Sequence, residues 1–262
     1  MKIKYFAVTV LLSWMFCNIT NCQNTLSDKR ISIKPDHLEL FLVIGQSNMA
    51  GRAEIELQDR DSLERVFLFT GLDGWEWERA ANPLNKYSTV RKDLAMQKMG
   101  PGYTFARKMA EAMADKQIGL VVNARGGSAI AEWMPGTWLY SEAVKRTKMA
   151  MKNGTLKGII WHQGSSDASR SDIYSEKIAL LINSLRGDFN LPDLPFIAGQ
   201  LSEDKPERKI FNQMILTLPE KVKRTAVVTA EGTITIDGTH FDSKSTRIMG
   251  ERYAAEMTKL LK

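Results

Sequence analysis

Two polar residues near opposite ends of the chain have the side chains that nucleophilic catalysis needs. Ser47 directly follows an apolar run in the segment Gly45–Asn48, where a turn from strand to helix would expose its hydroxyl. His240 lies three residues after Asp237, and a carboxylate at that spacing in a turn can accept the Nδ1 proton and leave Nε2 free as a base. An unaided serine is a poor nucleophile, so the fold must carry the histidine to the serine. These three residue types predict acyl transfer.

Each of these residues also has an ordinary structural explanation. Ser47 alone could be a helix N-cap, and His240 alone could be an incidental histidine before a capped helix. Met49 stands where the second glycine of a Gly-x-Ser-x-Gly turn would be, so the segment differs from the nucleophile turn of α/β-hydrolases. The order serine, aspartate, histidine, with the last two close together near the C-terminus, favours the catalytic interpretation.

Acyl transfer also needs hydrogen-bond donors that stabilise the oxyanion of the tetrahedral intermediate. Gly126 and Gly127 offer backbone N–H groups that no side chain obstructs, and the residues leave the choice between them open. Gln163 offers a side-chain amide after another apolar run. Glycine pairs are also common in plain turns, so these donors count only in combination with the serine and the histidine.

The residues present disfavour a metal site or a thiol nucleophile. The three histidines, His37, His162 and His240, form no His-x-x-x-His pair. Both cysteines, Cys17 and Cys22, lie in an N-terminal segment that is expected to be removed. No metal and no organic cofactor is therefore predicted.

The first 22 residues have the pattern of a secretory signal peptide. Two lysines precede an apolar run, Tyr5–Cys17, that is too short to span a bilayer. We expect cleavage just before Gln23, which leaves residues 23–262 as a single domain and a secreted or periplasmic protein. A lipid anchor on Cys22 is the alternative, and the residues before that cysteine disfavour it.

The composition is that of a globular protein. The 262 residues are 44% hydrophobic and 25% charged, which excludes a disordered or fibrous chain. The 36 basic and 30 acidic residues are interspersed, and no basic block is long enough for a nucleic-acid tail. Neither a nucleic-acid partner nor a membrane span is therefore predicted.

Short apolar runs alternate with amphipathic stretches along the chain, and this predicts a parallel sheet between two layers of helices. The predicted strands are 38–44, 117–123, 157–161, 194–199 and 225–229, and the predicted helices are 103–115, 139–152, 171–186, 206–218 and 243–261. In such a sheet, ligands bind beyond the carboxyl ends of the strands. The polar segments 45–48, 123–128 and 162–167 each follow a strand and should meet on one rim.

Four segments resemble, in order, the sequence blocks of the SGNH hydrolases, in the variant of the sialate O-acetylesterase-like and acetylxylan esterase families (carbohydrate esterase family 6-like). The segments are Phe41–Gly51, Asn123–Ile130 followed by Trp133, Gly158–Gly164, and Asp237–Phe241 with Gly250–Ala254. The resemblance covers nearly the whole chain after the signal peptide. It implies the SGNH hydrolase fold, a three-layer α/β/α sandwich with a parallel, flavodoxin-like sheet.

The resemblance also implies a role for each matching residue. Ser47 would be the nucleophile, His240 the base and Asp237 its orienting acid, with the backbone N–H groups of Ser47 and Gly127 (or Gly126) and the amide of Gln163 in the oxyanion hole. Substrate-binding roles fall on Gln46, Asn48, His162 and Trp133. Where the family usually has Gln-Gly-Glu-Ser, this chain has Ser165 in place of the glutamate, which affects a contact near His162 and so the rate or the preferred substrate.

We therefore expect a serine carbohydrate esterase that removes O-acetyl groups from an oligo- or polysaccharide. Acetylxylan or a related plant polysaccharide is the favoured substrate. The alternatives are a sialate O-acetylesterase, a non-catalytic saccharide-binding protein on the same fold, and an esterase for longer acyl chains.

Two further groups of residues could bear on the substrate. Trp75, Trp77, Trp133 and Trp138 are predicted to lie in loops that flank the blocks, where their indoles could line a sugar cleft or pack in the interior. Arg91, Lys92 and Arg125 could meet an acidic sugar or be simply solvated.

Overall fold

The apolar runs of the sequence form the strands of one sheet that is buried on both faces. In a computed structural model of the chain, which describes Pro35 and His37–Lys262, the sheet has seven strands in the order β3-β2-β4-β1-β5-β6-β7. All neighbouring strands are parallel except β3, which is antiparallel to β2. The strands are β1 (Leu38–Gly45), β2 (Val66–Leu72), β3 (Trp75–Arg79), β4 (Ile118–Val122), β5 (Gly154–His162), β6 (Phe196–Gly199) and β7 (Thr225–Val228).

Helices cover both faces of this sheet. They are α1 (Ser47–Ala50), α2 (Gly102–Ala112), α3 (Trp138–Ala150), α4 (Ser171–Phe189), α5 (Pro206–Leu216), α6 (Leu218–Lys221) and α7 (Ser243–Leu261). Helices α2 and α7 pack on one face, and α3, α4 and α5 pack on the other. The mostly parallel three-layer sandwich predicted from the sequence is therefore confirmed.

The central strand β1 shows why the two layers form. Its side chains alternate between the two faces, so Leu40 and Leu42 join the core under α3 and α4, whereas Phe41 and Val43 join the core under α2 and α7. A strand covered on both faces needs apolar residues at every position, and this explains its near-continuous apolar run.

The hairpin of β2 and β3 at one edge of the sheet was not predicted, and Trp77 therefore lies in a strand rather than in a loop. Its ring packs against Phe69 with centroids 5.1 Å apart, and its indole nitrogen donates to Asn153 Oδ1 over 3.1 Å. The alternation of tryptophan and glutamate over residues 75–78 is the pattern of a strand with one buried face. Trp77 is a core residue with 1% of its surface exposed.

The predicted signal peptide, residues 1–22, and both cysteines lie outside the described residues. Within the part of the chain that the structure describes, no helix is long and apolar enough to cross a membrane.

Candidate active site

The turn from β1 into α1 places Ser47 at the carboxyl edge of the central strand. Gly45 has a φ of 142°, and a methyl group on its α-carbon would lie 2.3 Å from the carbonyl oxygen of His162. Only glycine allows the ends of β1 and β5 to approach so closely. The N–H of Gln46 then donates to His162 O over 2.8 Å, and α1 begins at the next residue. The nucleophile candidate is thus held by the rigid centre of the sheet.

The structure brings Ser47, His240 and Asp237 together. Ser47 Oγ lies 3.0 Å from His240 Nε2, and His240 Nδ1 lies 2.6 Å from Asp237 Oδ2. The other carboxylate oxygen of Asp237 accepts the backbone N–H groups of Thr239 at 3.0 Å and of His240 at 2.8 Å. The carboxylate is therefore fixed so that Nδ1 donates to it and Nε2 can accept a proton from the serine.

The surroundings of Asp237 keep its carboxyl ionised. Partial burial raises the pKa, but the hydrogen bonds from His240 and Thr239 and the charge of His240 outweigh it, so the pKa lies below its ordinary value. An ionised carboxylate is the form that stabilises the imidazolium when the histidine takes a proton.

Asn48, predicted to bind substrate, instead holds the loop that carries His240. Its Nδ2 donates to Thr239 O over 3.0 Å, and its Oδ1 accepts from the N–H of Phe241 at 3.1 Å. The amide thus bonds to the backbone on each side of the histidine. The side chain is 5% exposed, and its oxygen and one of its two amide hydrogens are engaged by this backbone.

Arg208 on α5 is a second support for the same loop, and the sequence reasoning missed it. Its Nη1 donates to Gly238 O and to Ser202 Oγ, each over 2.7 Å, and its Nη2 donates to Thr239 Oγ1 over 2.9 Å. In the sequence, an arginine in an amphipathic helix is expected to lie in solvent. Only the tertiary structure shows that Arg208 contacts this loop.

Three backbone N–H groups beside the serine have no acceptor within the described residues. They belong to Ser47, Gly126 and Gly127. Gly126 is the glycine beside the nucleophile, because a methyl on its α-carbon would lie 3.6 Å from Ser47 Cβ, whereas one on Gly127 would lie 3.2 Å from Lys92 Nζ. Gly126 is therefore the nearer of the two glycines to the serine side chain, and which of the two N–H groups joins the oxyanion hole stays a prediction.

The prediction that the Gln163 amide joins the oxyanion hole is not supported by the geometry. Its Nε2 donates one hydrogen to Ser128 O over 2.9 Å and the other to Asp167 Oδ2 over 2.7 Å. Because a primary amide has two hydrogens, none remains for a substrate. Gln163 joins the loop after β4 to the loop after β5.

His162 and Trp133, both predicted to contact substrate, are buried and cannot do so. His162 Nδ1 lies 3.0 Å from the hydroxyl of Tyr253, which donates its own proton to Trp161 O, so Nδ1 carries the hydrogen. Burial lowers the pKa of His162 to about 4 and keeps it neutral. The Trp133 indole donates to Ser128 Oγ over 2.9 Å and packs edge-on against Trp161.

Gln46 and Ser47 open into a cleft of about 400 Å³ together with His240. Gln46 Nε2 donates to Ser165 Oγ over 2.6 Å, so the serine that stands in place of the family's glutamate orients this amide. Trp138, predicted as a possible cleft residue, is 55% exposed, and the guanidinium of Arg125 lies over its ring.

The charged lining of the cleft is cationic. Its basic members are Arg52, Lys92, Lys205 and Arg208, and none of them forms an ion pair with a carboxylate of the described chain. No cluster of three or more His, Cys, Asp or Glu residues that could hold a metal ion occurs between His37 and Lys262. The chemistry that the site offers is nucleophilic.

Residues 37–259 match the family model described as carbohydrate esterase, sialic acid-specific acetylesterase. A protein of Arabidopsis thaliana described as a probable carbohydrate esterase is 34% identical over 182 residues, which are 61% of this chain and 67% of the relative. An X-ray structure of the Arabidopsis thaliana protein At4g34215, the name that this relative also carries, is similar to the chain with a TM-score of 0.77 at 28% identity. The match covers 86% of this chain and 99% of that chain.

Two more distant structures share the fold. The crystal structure of NanS has a TM-score of 0.68 at 18% identity, with 87% of this chain and 98% of that chain covered. A carbohydrate acetylesterase from Xanthomonas citri has a TM-score of 0.61 at 22% identity, with 83% of this chain and 55% of that chain covered.

Proposed function

The chain belongs to the carbohydrate esterase family of the sialic acid-specific acetylesterases, and from that premise we propose that it removes O-acetyl groups from a saccharide through Ser47, His240 and Asp237. Family membership makes the chain a carboxylic ester hydrolase. The observation that carries the catalytic assignment is the 3.0 Å contact between Ser47 Oγ and His240 Nε2, with Asp237 on the far side of the ring.

In the acylation step, Ser47 Oγ forms a bond to the carbonyl carbon of the acetyl group while His240 Nε2 takes the hydroxyl proton. The carbonyl electron pair moves onto the oxygen, and the N–H groups of Ser47 and Gly126 donate to that oxyanion. The tetrahedral intermediate then collapses. The bond to the sugar oxygen breaks, His240 gives its proton to that oxygen, and an acetyl-enzyme remains.

In the deacylation step, water takes the place of the sugar. His240 accepts a proton from the water as its oxygen attacks the acetyl carbon, and the second tetrahedral intermediate releases acetate. Ser47 recovers its proton from the histidine, so the enzyme returns to its starting state.

Replacement of the nucleophile tests this mechanism. Ser47→Ala should lower the hydrolysis of p-nitrophenyl acetate by at least about 10³-fold, because removal of a nucleophile leaves only binding and oxyanion stabilisation. Ser141→Ala, at an exposed serine on α3, is the control and should keep full activity. A fluorophosphonate should label the Ser141 variant and not the Ser47 variant. Undiminished hydrolysis by Ser47→Ala would exclude the mechanism, and a wild type that is neither active nor labelled would indicate a saccharide-binding protein.

The charges of the cleft bear on the choice of substrate. The sequence favoured neutral acetylxylan, with an acetylated sialic acid as the alternative. Lys92 and Lys205 line the cleft, and neither ammonium has a hydrogen bond or ion pair within the described chain. Both side chains are exposed, and a cleft whose charges all have one sign attracts a ligand of the opposite sign. These charges support an acetylated saccharide that carries a carboxylate over the neutral polymer.

A comparison of acetate release tests this preference. The two substrates are O-acetylated sialosides and acetylxylan, at equal concentrations of acetyl groups. Lys92→Met and Lys205→Met should raise the KM for the acidic substrate, and the effect should shrink in high salt because ions screen exposed charges. Lys244→Met, at an exposed lysine on α7, is the control. If kcat/KM were higher on acetylxylan than on the acidic substrate, and if neither Lys92→Met nor Lys205→Met changed it, the neutral polymer would be the substrate.

Export remains part of the proposal. The lysines and apolar run of residues 1–22 support a cleaved signal peptide and a secreted or periplasmic enzyme. Mass spectrometry of the mature protein tests this, since an N-terminus at Gln23 supports cleavage, a lipidated Cys22 supports the anchored alternative, and an intact Met1 contradicts both.

A further inference from the structure

Trp138 differs from the other tryptophans whose side chains the structure describes. The others, Trp77, Trp133 and Trp161, are each at most 1% exposed. Trp138 is 55% exposed, and its indole nitrogen has no hydrogen-bond acceptor within the described residues. Because a large aromatic ring gains much from leaving water, and because the indole also carries a free N–H donor, this side chain is a candidate contact for a ligand that is part apolar and part polar.

The ring of Trp138 is held in place by a cation. The guanidinium carbon of Arg125 lies 5.3 Å from the ring centroid, and Arg125 Nη1 donates to Val90 O over 2.9 Å. The guanidinium is therefore anchored to a neighbouring loop, and its cation–π contact orients the indole. A surface that is already oriented loses little freedom when a ligand binds. Trp138 and Arg125 together form what we call the indole platform.

The indole platform lies on the same rim of the sheet as the nucleophile. The N–H of Arg125 donates to Gly45 O over 2.9 Å, at the end of the strand that leads into Ser47. Helix α3 begins at Trp138, so the platform also follows the carboxyl end of a strand. Ligands of open parallel sheets bind at this edge.

Two short segments join the platform to the wall of the cleft. Val90 accepts from Arg125 on the platform side, and two residues later Lys92 lines the cleft. Gly127, two residues after Arg125, also lines the cleft, and a methyl group on its α-carbon would lie 3.2 Å from Lys92 Nζ. Two residues of extended chain span about 7 Å. The platform is therefore within reach of a sugar residue that is linked to one bound in the cleft.

We propose that the indole platform is a binding subsite for a second sugar ring of the substrate, linked to the residue that carries the acetyl group. This inference rests on the proposed esterase function, and it makes the substrate an oligo- or polysaccharide rather than a single sugar. The C–H groups on one face of a pyranose pack on an indole by dispersion. The platform binds this ring and takes no part in the transfer of the acetyl group.

The polar groups of the platform favour a sugar over an apolar partner. A guanidinium has five N–H donors, and Arg125 uses one hydrogen bond, to Val90, within the described chain. Its other donors and the indole N–H of Trp138 can be satisfied by the hydroxyl or carboxylate oxygens of a saccharide. An apolar partner would cover the same donors and leave them without acceptors, which is costly.

The test compares substrates that differ in the length of the sugar chain. The probes are an acetylated xylotriose against acetylated xylose, and an O-acetylated sialyllactose against free O-acetylated sialic acid. In the pair that wild type hydrolyses faster, Trp138→Ala should lower kcat/KM on the trisaccharide by about tenfold through a raised KM. Hydrolysis of the single sugar and of p-nitrophenyl acetate, which do not reach the platform, should stay unchanged.

Two further variants complete the design. Trp138→Phe should keep part of the preference for the trisaccharide, because a smaller ring still stacks on the sugar. Leu180→Ala is the control, since Leu180 on α4 is similarly exposed, at 53%, and should match wild type on every substrate.

Three outcomes would overturn the inference. They are equal kcat/KM of wild type on the trisaccharide and the single sugar, an undiminished preference for the trisaccharide in Trp138→Ala, and an equal loss on all substrates, which would indicate a structural role. Failure of the esterase function is distinguishable, because Ser47→Ala would then retain activity. An inactive Ser47→Ala beside a Trp138→Ala with unchanged trisaccharide hydrolysis would remove the subsite and leave the esterase in place.

Discussion

Mild acid should destabilise the folded protein through His162, a residue that lies behind the active site. Burial lowers the pKa of this imidazole to about 4 from an ordinary value of 6.5. The folded protein keeps the ring neutral because it is buried, with Nδ1 donating to Tyr253 and Nε2 without a hydrogen-bond partner among the described residues. The unfolded chain has no such constraint and binds a proton near the ordinary pKa.

The sign and size of the effect follow from this difference. Above pH 6.5 the ring is neutral in both states and contributes no pH dependence. Between pH 6.5 and pH 4 only the unfolded state binds the proton, so the free energy of unfolding falls by about 1.4 kcal/mol per pH unit. Below pH 4 both states are protonated and the contribution levels off. Over the whole window the loss is about 3 kcal/mol, a large share of the stability of a typical domain.

Urea unfolding between pH 7.5 and pH 4, followed by tryptophan fluorescence, measures this loss. His162→Asn removes the titrating ring but keeps an amide that can donate to Tyr253, so its curve should be flatter than that of wild type by about 3 kcal/mol. His37→Asn is the control, because His37 is exposed and its left-handed backbone suits asparagine. If wild type and His162→Asn lost stability in parallel between pH 6.5 and pH 4, the buried imidazole would not be the cause.

Three further predictions concern the catalytic groups. Asp237→Asn should lower kcat on p-nitrophenyl acetate by about 10⁴-fold, because an amide cannot stabilise the imidazolium of His240; a loss below tenfold would contradict the triad. Asn48→Ala should lower kcat, and it should lower the free energy of unfolding by about 1–3 kcal/mol, because it leaves the backbone beside His240 unpaired. Unchanged urea unfolding would contradict the proposed role of Asn48 in holding this loop. Gly126→Ala should keep the native circular dichroism spectrum and lose activity, because its methyl would lie 2.5 Å from Arg52 Nη2, and full activity would show that this space is not used.

Much of the fold could be predicted from local pattern. The parallel strands are buried on both faces, so their apolar runs are nearly continuous, and the predicted starts of the five long helices fall within one residue of those observed. The β2–β3 hairpin was not predicted, although β2 has seven residues of which the first five are buried, and β3 alternates tryptophan with glutamate. Helix ends were less accurate, as in α4, which continues to Phe189 and stops where Asn190 adopts a φ of 55°.

The catalytic residues could be predicted because the chemistry requires particular side chains. The substrate-binding residues were harder to predict because their role depends on whether the side chain is buried. Ser47, His240 and Asp237 could be found because few other combinations of side chains suit acyl transfer. Gln163 and His162 also follow a strand, but whether such a side chain points into the cleft or into the interior depends on the packing of distant segments. A one-dimensional pattern does not contain that information.

Some supporting groups left no signal in the sequence. Arg208 bonds to one backbone carbonyl and to the hydroxyls of Ser202 and Thr239, and Arg52 bonds to the carbonyls of Gly51 and Met96. Carbonyls and hydroxyls are too common along a chain to identify such partners from the sequence. The roles of the two arginines emerge only when the partner loops are placed in space.

The pair of bonds from Asn48 has a consequence for how the chain can vary. Ser47 and His240 are separated by 193 residues, yet the amide of the residue next to the serine bonds on both sides of the histidine. The position of the histidine relative to the serine is therefore fixed by this one side chain and does not depend on the length of the intervening chain. Insertions or deletions in the loops between them can reshape the walls of the cleft, and with them the choice of saccharide, while the reacting atoms stay in register.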